Sequence, residues 1–96
     1  MEEQAKKAAE ILKLIANSNR LLILCALEEG KKTVSELNQV VPDISMPALS
    51  QHLSALRLAR LIQSEKHGLY VYYTISNWRI MKIIQLLKET YCSENE

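Results

Sequence analysis

The stretch TVSELNQVVPDISMPALSQHLSALRLARLIQSEKHGLYVYYTI, Thr33 to Ile75, holds two short helical patterns separated by Pro-Asp, after which the hydrophobic period falls to two. Thr33-Val-Ser-Glu36 has the spacing of a capping box, in which the threonine oxygen serves the amide three residues on and the glutamate reaches back. A short helix therefore starts at Thr33 and is stopped by Pro42 and Asp43. Ser45 caps the next helix, Met46 to Leu58, along which Leu49, Leu53 and Leu56 make one apolar stripe. Pro47 falls in its first turn, where amides have no intrahelical partner, so it is harmless there. From Leu61 the pattern alternates. About Leu61 to Lys66 forms one strand, His67-Gly68 the turn, and Tyr70 to Ile75 the other strand. Val71, Tyr73 and Ile75 then share one face and Tyr70, Tyr72 and Thr74 the other.

Upstream, Ala5, Ala8, Ala9, Leu12 and Ile15 recur at three and four, which predicts a helix over Glu2 to Ala16. Asn17, Ser18 and Asn19 are capping residues before a densely apolar helix, Arg20 to Leu27, which Gly30 ends. Downstream, Ser76 or Asn77 caps a last helix from Trp78 to about Cys92. Its apolar residues Ile80, Met81, Ile83, Ile84, Leu86, Leu87 and Tyr91 nearly encircle it. A helix apolar on two faces in a small protein packs its own core on one side and another chain on the other. Ile80, Ile83, Ile84, Leu87 and Tyr91, with Leu12 of the first helix, are therefore assigned to a homodimer interface. The fold class expected is mainly α with a β-hairpin, in the order α-α-α-α-β-β-α, as a single domain over residues 1–96; Ser93 to Glu96 read as a frayed end.

With 96 residues, 48% of them apolar and 24% charged, the chain has the composition of one ordinary globule. Its formal charge of +1 does not select a partner, so the placement of basic residues has to. The start, MEEQAKKAAEILKLIANSNR, mixes charges among its apolar residues and lacks both a signal-peptide core and a run of about 20 apolar residues that could span a membrane. A cytoplasmic location without membrane contact is expected. Thiols are kept reduced there, so Cys25 and Cys92 read as free thiols or as a regulated pair, not as a permanent bridge.

Two short helices joined by a tight turn and followed by a two-stranded wing are the grammar of a winged helix-turn-helix, whose second helix enters the major groove. With Leu49 and Leu53 inward at about 100° per residue, Pro47, Ser50, Gln51 and Ser54 point away from the core and Arg57 lies on the flank. Gln51 can pair bidentately with adenine, the serines can bond bases or phosphates, and Arg57 suits a phosphate or a guanine. Ser45 and Met46 at the helix start, with Lys66 and His67 at the hairpin tip, complete the expected DNA-binding set, although Glu65 dilutes the charge of the tip. His52 joins that set as a groove-edge residue, or else is a half-buried hydrogen-bonder at the rim of the core. Two such helices in a dimer would read an inverted repeat in double-stranded operator DNA, with a groove repeat of roughly 34 Å. No catalytic constellation accompanies them: Ser50 and His52 diverge around the helix and no carboxylate orients the imidazole. Tyr70, Tyr72 and Tyr73 read as cover for the core or the frame of the wing, and no cofactor is expected.

IANSNRLLILCAL, TVSELNQVV, SMPALSQHLSALRLARLI and GLYVYYTI together resemble the ArsR family of bacterial dimeric repressors, over about residues 10–92. The resemblance implies a repressor that leaves its operator when an inducer binds the dimer. Many members sense metals through cysteines at the start of the third helix, where soft thiolates select thiophilic ions; here Thr33 and Ser35 occupy those positions. Others hold metal between their last helices with Asp, His and Glu, yet residues 76–96 contain no histidine. No metal ligands are therefore assigned. Both cysteines instead fall where the persulfide-responsive branch, the HlyU, BigR and SqrR type, carries its reactive pair. By that resemblance, reactive sulfur or an oxidant would join Cys25 to Cys92 by a disulfide or polysulfide. Arg20 and Lys88 are the basic residues nearest them in sequence that could favour a thiolate. A metal-responsive regulator with another site, and a winged-helix dimer used for protein contact, are the alternatives. Two positions depart from the family pattern. Arg60 stands where a glycine commonly ends the recognition helix, at a cost of about 1 kcal/mol if its backbone is left-handed, and the wing reads SEKHG where two arginines are common.

Overall fold

The computed structural model describes residues 1–91. Its elements run α1 (Glu2–Ile15), α2 (Ser18–Glu28), β1 (Lys32–Thr33), α3 (Val34–Val40), α4 (Met46–Leu58), β2 (Ile62–His67), β3 (Tyr70–Ile75) and α5 (Trp78–Tyr91). The boundaries follow the capping chemistry. The Asn17 side chain accepts from the Arg20 amide at 3.1 Å and starts α2, a little earlier than its apolar run. At α3 the capping box closes in both directions: the Glu36 amide donates to Thr33 Oγ1 at 3.2 Å and the Thr33 amide to Glu36 Oε1 at 2.8 Å. The hydrogen bond from the Thr33 amide, followed by one from the Thr33 side chain, holds the Glu36 carboxyl below its usual pKa. Ser45 Oγ accepts from the Ala48 amide to begin α4, and Asn77 Oδ1 accepts from the Arg79 and Ile80 amides to begin α5.

One core joins these elements. Ile23, Leu24 and Leu27 of α2, Leu37 of α3, Leu49, Leu53 and Leu56 of α4, Leu61 and Ile62 leading into β2, and Ile80 and Ile84 of α5 are all buried. The α4 stripe read from the sequence is thus the face that seats α4 on the domain and leaves its other face outward. The helix α1 attaches through Ile15, with Ile11 and Leu14 packed beside it, while the chain up to Glu10 is exposed.

The sheet is antiparallel in the order β1-β3-β2 and has one strand more than the expected hairpin: Lys32 and Thr33 pair with Tyr73 and Tyr72. The hairpin register pairs His67 with Tyr70, so the turn is Gly68-Leu69 and not His67-Gly68. Gly68 has φ +64°, the left-handed first position of a II′-like two-residue turn. Its partner Leu69 is 93% exposed at the apex, which places Lys66 and His67 on the paired strands beneath the tip. The expected faces hold for Tyr73 and Ile75, which pack on the core, whereas Val71 near the apex has run past the core edge.

Candidate functional site

On α4 and its cap the side chains of Ser45, Met46, Pro47, Ser50, Gln51, Ser54 and Arg57 are all exposed; Pro47, Ser50, Gln51 and Ser54 point away from the buried Leu49, Leu53 and Leu56, with Arg57 on the flank. Leu58, 82% exposed, lies on the same outward face, an apolar residue the sequence reading leaves unassigned. Its signal is available in the spacing, seven residues after Gln51. Arg57 leans toward the wing, donating from Nη1 to Ser64 Oγ at 3.4 Å. Lys66 and His67 are exposed on the wing; His67 Nε2 lies 3.2 Å from Glu65 Oε1, and its ring meets Tyr72 edge-on. The ammonium of Lys31 sits 4.7 Å from the centre of the Tyr72 ring, so the root of the wing carries a cation that sequence reasoning does not place there. Only the fold brings the residue after Gly30 to the second wing strand.

Of the two readings of His52, the geometry takes the inward one. Arg20 Nε donates to His52 Nδ1 at 3.0 Å, and Arg20 Nη1 donates to the Leu14 carbonyl at 3.0 Å. One guanidinium therefore ties the end of α1 and the start of α2 to α4. An Nδ1 that accepts leaves the proton of the neutral ring on Nε2. Partial burial, followed by the Arg20 charge, lowers the His52 pKa below its ordinary 6.5. A histidine whose folded pKa is depressed stabilises the fold above its unfolded pKa and loses that contribution as pH falls. Thermal melts from about pH 7 to about pH 5 should thus show a steeper fall in Tm for the wild type than for His52→Asn, whose Oδ1 can accept from Arg20 without titrating. His52→Ala should cost about 1 kcal/mol at pH 7 by stranding Arg20. Equal slopes for the wild type and His52→Asn would remove His52 from the pH response.

The candidate thiol site has one described member. Cys25 is half-buried on α2 and packs against the core; Cys92 lies outside the described residues. The ammonium of Lys88, one turn before the end of α5, bonds Glu28 Oε1 at 2.8 Å, Glu29 Oε2 at 3.1 Å and the Cys25 carbonyl at 3.5 Å. The hydrogen bond to Glu28 raises its pKa most, and that to Glu29 adds to it, against an opposing effect of burial. Of the two basic residues expected near the thiols, Arg20 bonds His52 and the Leu14 carbonyl, and Lys88 bonds two carboxylates and the Cys25 carbonyl. Lys88 instead fastens the last turns of α5 alongside Cys25. Among the described residues no three His, Cys, Asp or Glu side chains gather as a metal site.

The candidate dimer surface is rearranged. Ile80 and Ile84 are 1% and 0% exposed inside the protomer's own core, so they are withdrawn from the interface. Ile83 and Leu87 are half-buried at the edge of that core, whereas Leu12 and Tyr91 are exposed as expected. Trp78 and Leu86 of α5 are exposed as well, and α1 adds Ala5, Ala8 and Ala9 beside Leu12. The apolar face left open therefore spans both terminal helices. No helix among the described residues is long and apolar enough to cross a membrane.

Comparison with known proteins gives a consistent picture. Residues 17–64, from the cap of α2 into β2, match the family described as bacterial regulatory protein, arsR family. The transcriptional activator HlyU of Vibrio cholerae is 40% identical over all 96 residues and 88% of its own length. The structure of reduced HlyU from that organism superposes with a TM-score of 0.91, covering 97% of each chain. The biofilm growth-associated repressor of Agrobacterium fabrum is 31% identical, again over the whole of this chain and 81% of its own.

Proposed function

The chain belongs to the arsR family of bacterial regulatory proteins, which makes it a DNA-binding transcriptional regulator, and we propose that it is a homodimeric repressor released from its operator by paired modification of Cys25 and Cys92. The observation that carries the DNA reading is the outward face of α4, where Ser50, Gln51 and Ser54 stand exposed with Arg57 and the wing beside them. Polar groups of that size on a helix seated by its opposite face can approach base edges, while Arg57, Lys31 and Lys66 supply charge to the flanking backbone. Its relatives are transcriptional regulators and not enzymes.

Homodimerisation is supported by α1, most of which leaves the protomer core and presents Ala5, Ala8, Ala9 and Leu12 to solvent next to the open face of α5. Such a surface is stable when a second copy covers it. Two recognition helices fixed in this way read an inverted repeat, and their spacing depends on how α1 and α5 sit. The thiol reading is supported by the attachment of the end of α5 to α2 at Cys25, through Lys88, four positions before Cys92 in the sequence. A similar solved protein is specifically a reduced form, so that relative has a redox state to distinguish. The chemistry balances with reactive sulfur. Two thiols and one hydrogen disulfide molecule give a protein disulfide and two molecules of hydrogen sulfide; with hydrogen trisulfide they give a protein trisulfide and again two of hydrogen sulfide. The thiol sulfurs are oxidised, the inorganic polysulfide is reduced, and the thiol protons leave on the sulfide. Each added sulfur lengthens the bridge by up to about 2 Å, so the separation of the pair selects the product. A bridge at that point pulls the end of α5 against α2 and shifts the dimer on which the operator spacing rests.

A mobility-shift assay on the duplex upstream of its own gene tests the reading. The reduced protein should bind, and polysulfide or peroxide should release it, with Zn(II) having no effect. Release by the metal and not by thiol reagents would favour the metal-responsive alternative. No binding in any state would favour a winged-helix dimer for protein contact.

A further inference from the structure

The C-terminal end of α4 closes in a left-handed turn on a residue that pays for it. Arg60 has φ +62°. The Leu61 amide donates to the Leu56 carbonyl at 3.0 Å and the Arg60 amide to the Arg57 carbonyl at 2.9 Å, the two bonds of a Schellman closure, with Leu61 and Leu56 both buried beneath it. Both bonds are made by backbone, as is the acceptor that Arg60 offers to Ser76 Oγ at 3.3 Å. Glycine would make all three without the contact between Cβ and carbonyl that a left-handed L-residue suffers. The hydrogen bonds that close the turn therefore do not require the side chain at this position.

What the side chain does is stand beside Arg57. The two arginines line an open cleft of about 460 Å³ between the end of α4 and β2, whose other walls are Ile62, Gln63, Ser64 and Ser76. Among the described residues no carboxylate lines it, and Arg57 is steered toward it by its bond to Ser64 Oγ. The result is a concave site with two guanidinium cations, the Gln63 amide and the Ser64 hydroxyl, the Ser76 proton being given to the Arg60 carbonyl, on the flank of a helix whose outward face carries the base-reading residues. Guanidinium pairs with neutral donors around them match the geometry of a phosphate oxyanion. The end of a helix lying in the major groove is close to the sugar-phosphate backbone.

We infer that Arg60 is held in its strained conformation because, with Arg57, it binds a backbone phosphate of duplex DNA in this cleft. The inference rests on the reading of the chain as a DNA-binding protein and names a contact within it. Strain maintained at one residue is a pointer to function when the same residue completes a site. It also adds backbone charge at the end of the recognition helix in a protein whose wing sets Glu65 beside Lys66 and His67.

The test separates stability from binding by using Arg60→Gly, Arg60→Asn and Arg60→Lys on the full chain, with a mixed-sequence duplex as the probe. Arg60→Gly should raise Tm by about 4–8 °C, because it relieves the turn in a chain of this size. The same variant should weaken duplex binding and lower the slope of log K against log salt by about 0.9 per chain, or about two for a dimer. Arg60→Asn, which also tolerates the left-handed region, should lose the same slope, and Arg60→Lys should keep it. An unchanged slope in Arg60→Gly, with the wild type binding the duplex, overturns the inference and leaves the DNA reading intact. A wild type that binds no duplex overturns both. Inorganic phosphate distinguishes the source of the anion: millimolar phosphate shifting the amide resonances of Arg60 and Gln63, together with an unchanged DNA salt slope, assigns the cleft to a small anion and overturns the DNA contact.

Discussion

Gln51→Ala is expected to weaken operator binding by about 1–3 kcal/mol for each recognition helix, hence about 2–6 kcal/mol and at least roughly 30-fold for a dimer. Gln51 is exposed on α4, makes none of the side-chain hydrogen bonds that organise the described fold, and projects from the helix face opposite Leu49 and Leu53. Its removal therefore leaves the thermal stability within about 0.5 kcal/mol of wild type. The loss should be confined to the operator: binding to a mixed-sequence duplex, which draws on phosphate contacts alone, should hardly change. Titrations of both duplexes by fluorescence anisotropy at one salt concentration check this. A uniform loss on both duplexes would make Gln51 a backbone contact, and no loss on either would take α4 out of the groove.

The second large effect concerns the correction at α5. Ile84→Ala should destabilise the protomer by about 2–4 kcal/mol, since Ile84 is fully buried and its loss leaves a cavity against α2 and the other core residues. In a chain of this size that is a fall in Tm of roughly 10 °C or more. Leu12→Glu provides the contrast. Leu12 is 53% exposed on α1, so a charge there is accommodated by the folded protomer and opposes only the association of two copies. Sedimentation at several concentrations should show Leu12→Glu as a folded monomer that binds operator weakly. Urea unfolding should show Ile84→Ala with a lower midpoint at every concentration. An Ile84→Ala protein as stable as wild type but monomeric would return Ile84 to the interface.

These two residues also mark where the sequence is legible. Elements governed by local chemistry come through: the Thr33 and Glu36 capping box, the Ser45 cap and the buried stripe of α4 are all properties of a few consecutive residues, whereas the left-handed turn at Arg60 is suggested only by the family resemblance. The apolar residues of α5 are no less visible, but a pattern that nearly encircles a helix carries no sign telling the core side from the open side. The spacing puts Ile80 and Ile84 on one side of the helix and Leu86 on the other without telling which side meets the core, which is why Ile80 and Ile84 read as outward. The strand β1 escapes because two residues have no period, and Thr33 is committed to a cap as well as to a pairing with Tyr72. The hairpin turn moves by one residue because glycine suits either position of a two-residue loop, and register decides which. The partners of Arg20 and Lys88 lie 32 and 60 positions away, on His52 and Glu28, and the three-way tie at Arg20 exists only once α1, α2 and α4 have packed. Long-range polar pairing of this kind has no periodic trace in a single sequence.

In the proposed mechanism the two cysteines act together as the inducer site of a DNA-binding dimer. The most direct measurement is the intact mass of the reduced chain after treatment with inorganic polysulfide and then an alkylating agent, taken on the same samples whose operator binding is followed by mobility shift. The expected product is a species with neither thiol alkylated, carrying a disulfide or whole added sulfur atoms, which accumulates as binding is lost and is absent from Cys25→Ser and Cys92→Ser. Loss of binding while both thiols still alkylate, or a bridged species that holds the operator as tightly as the reduced chain, would contradict it.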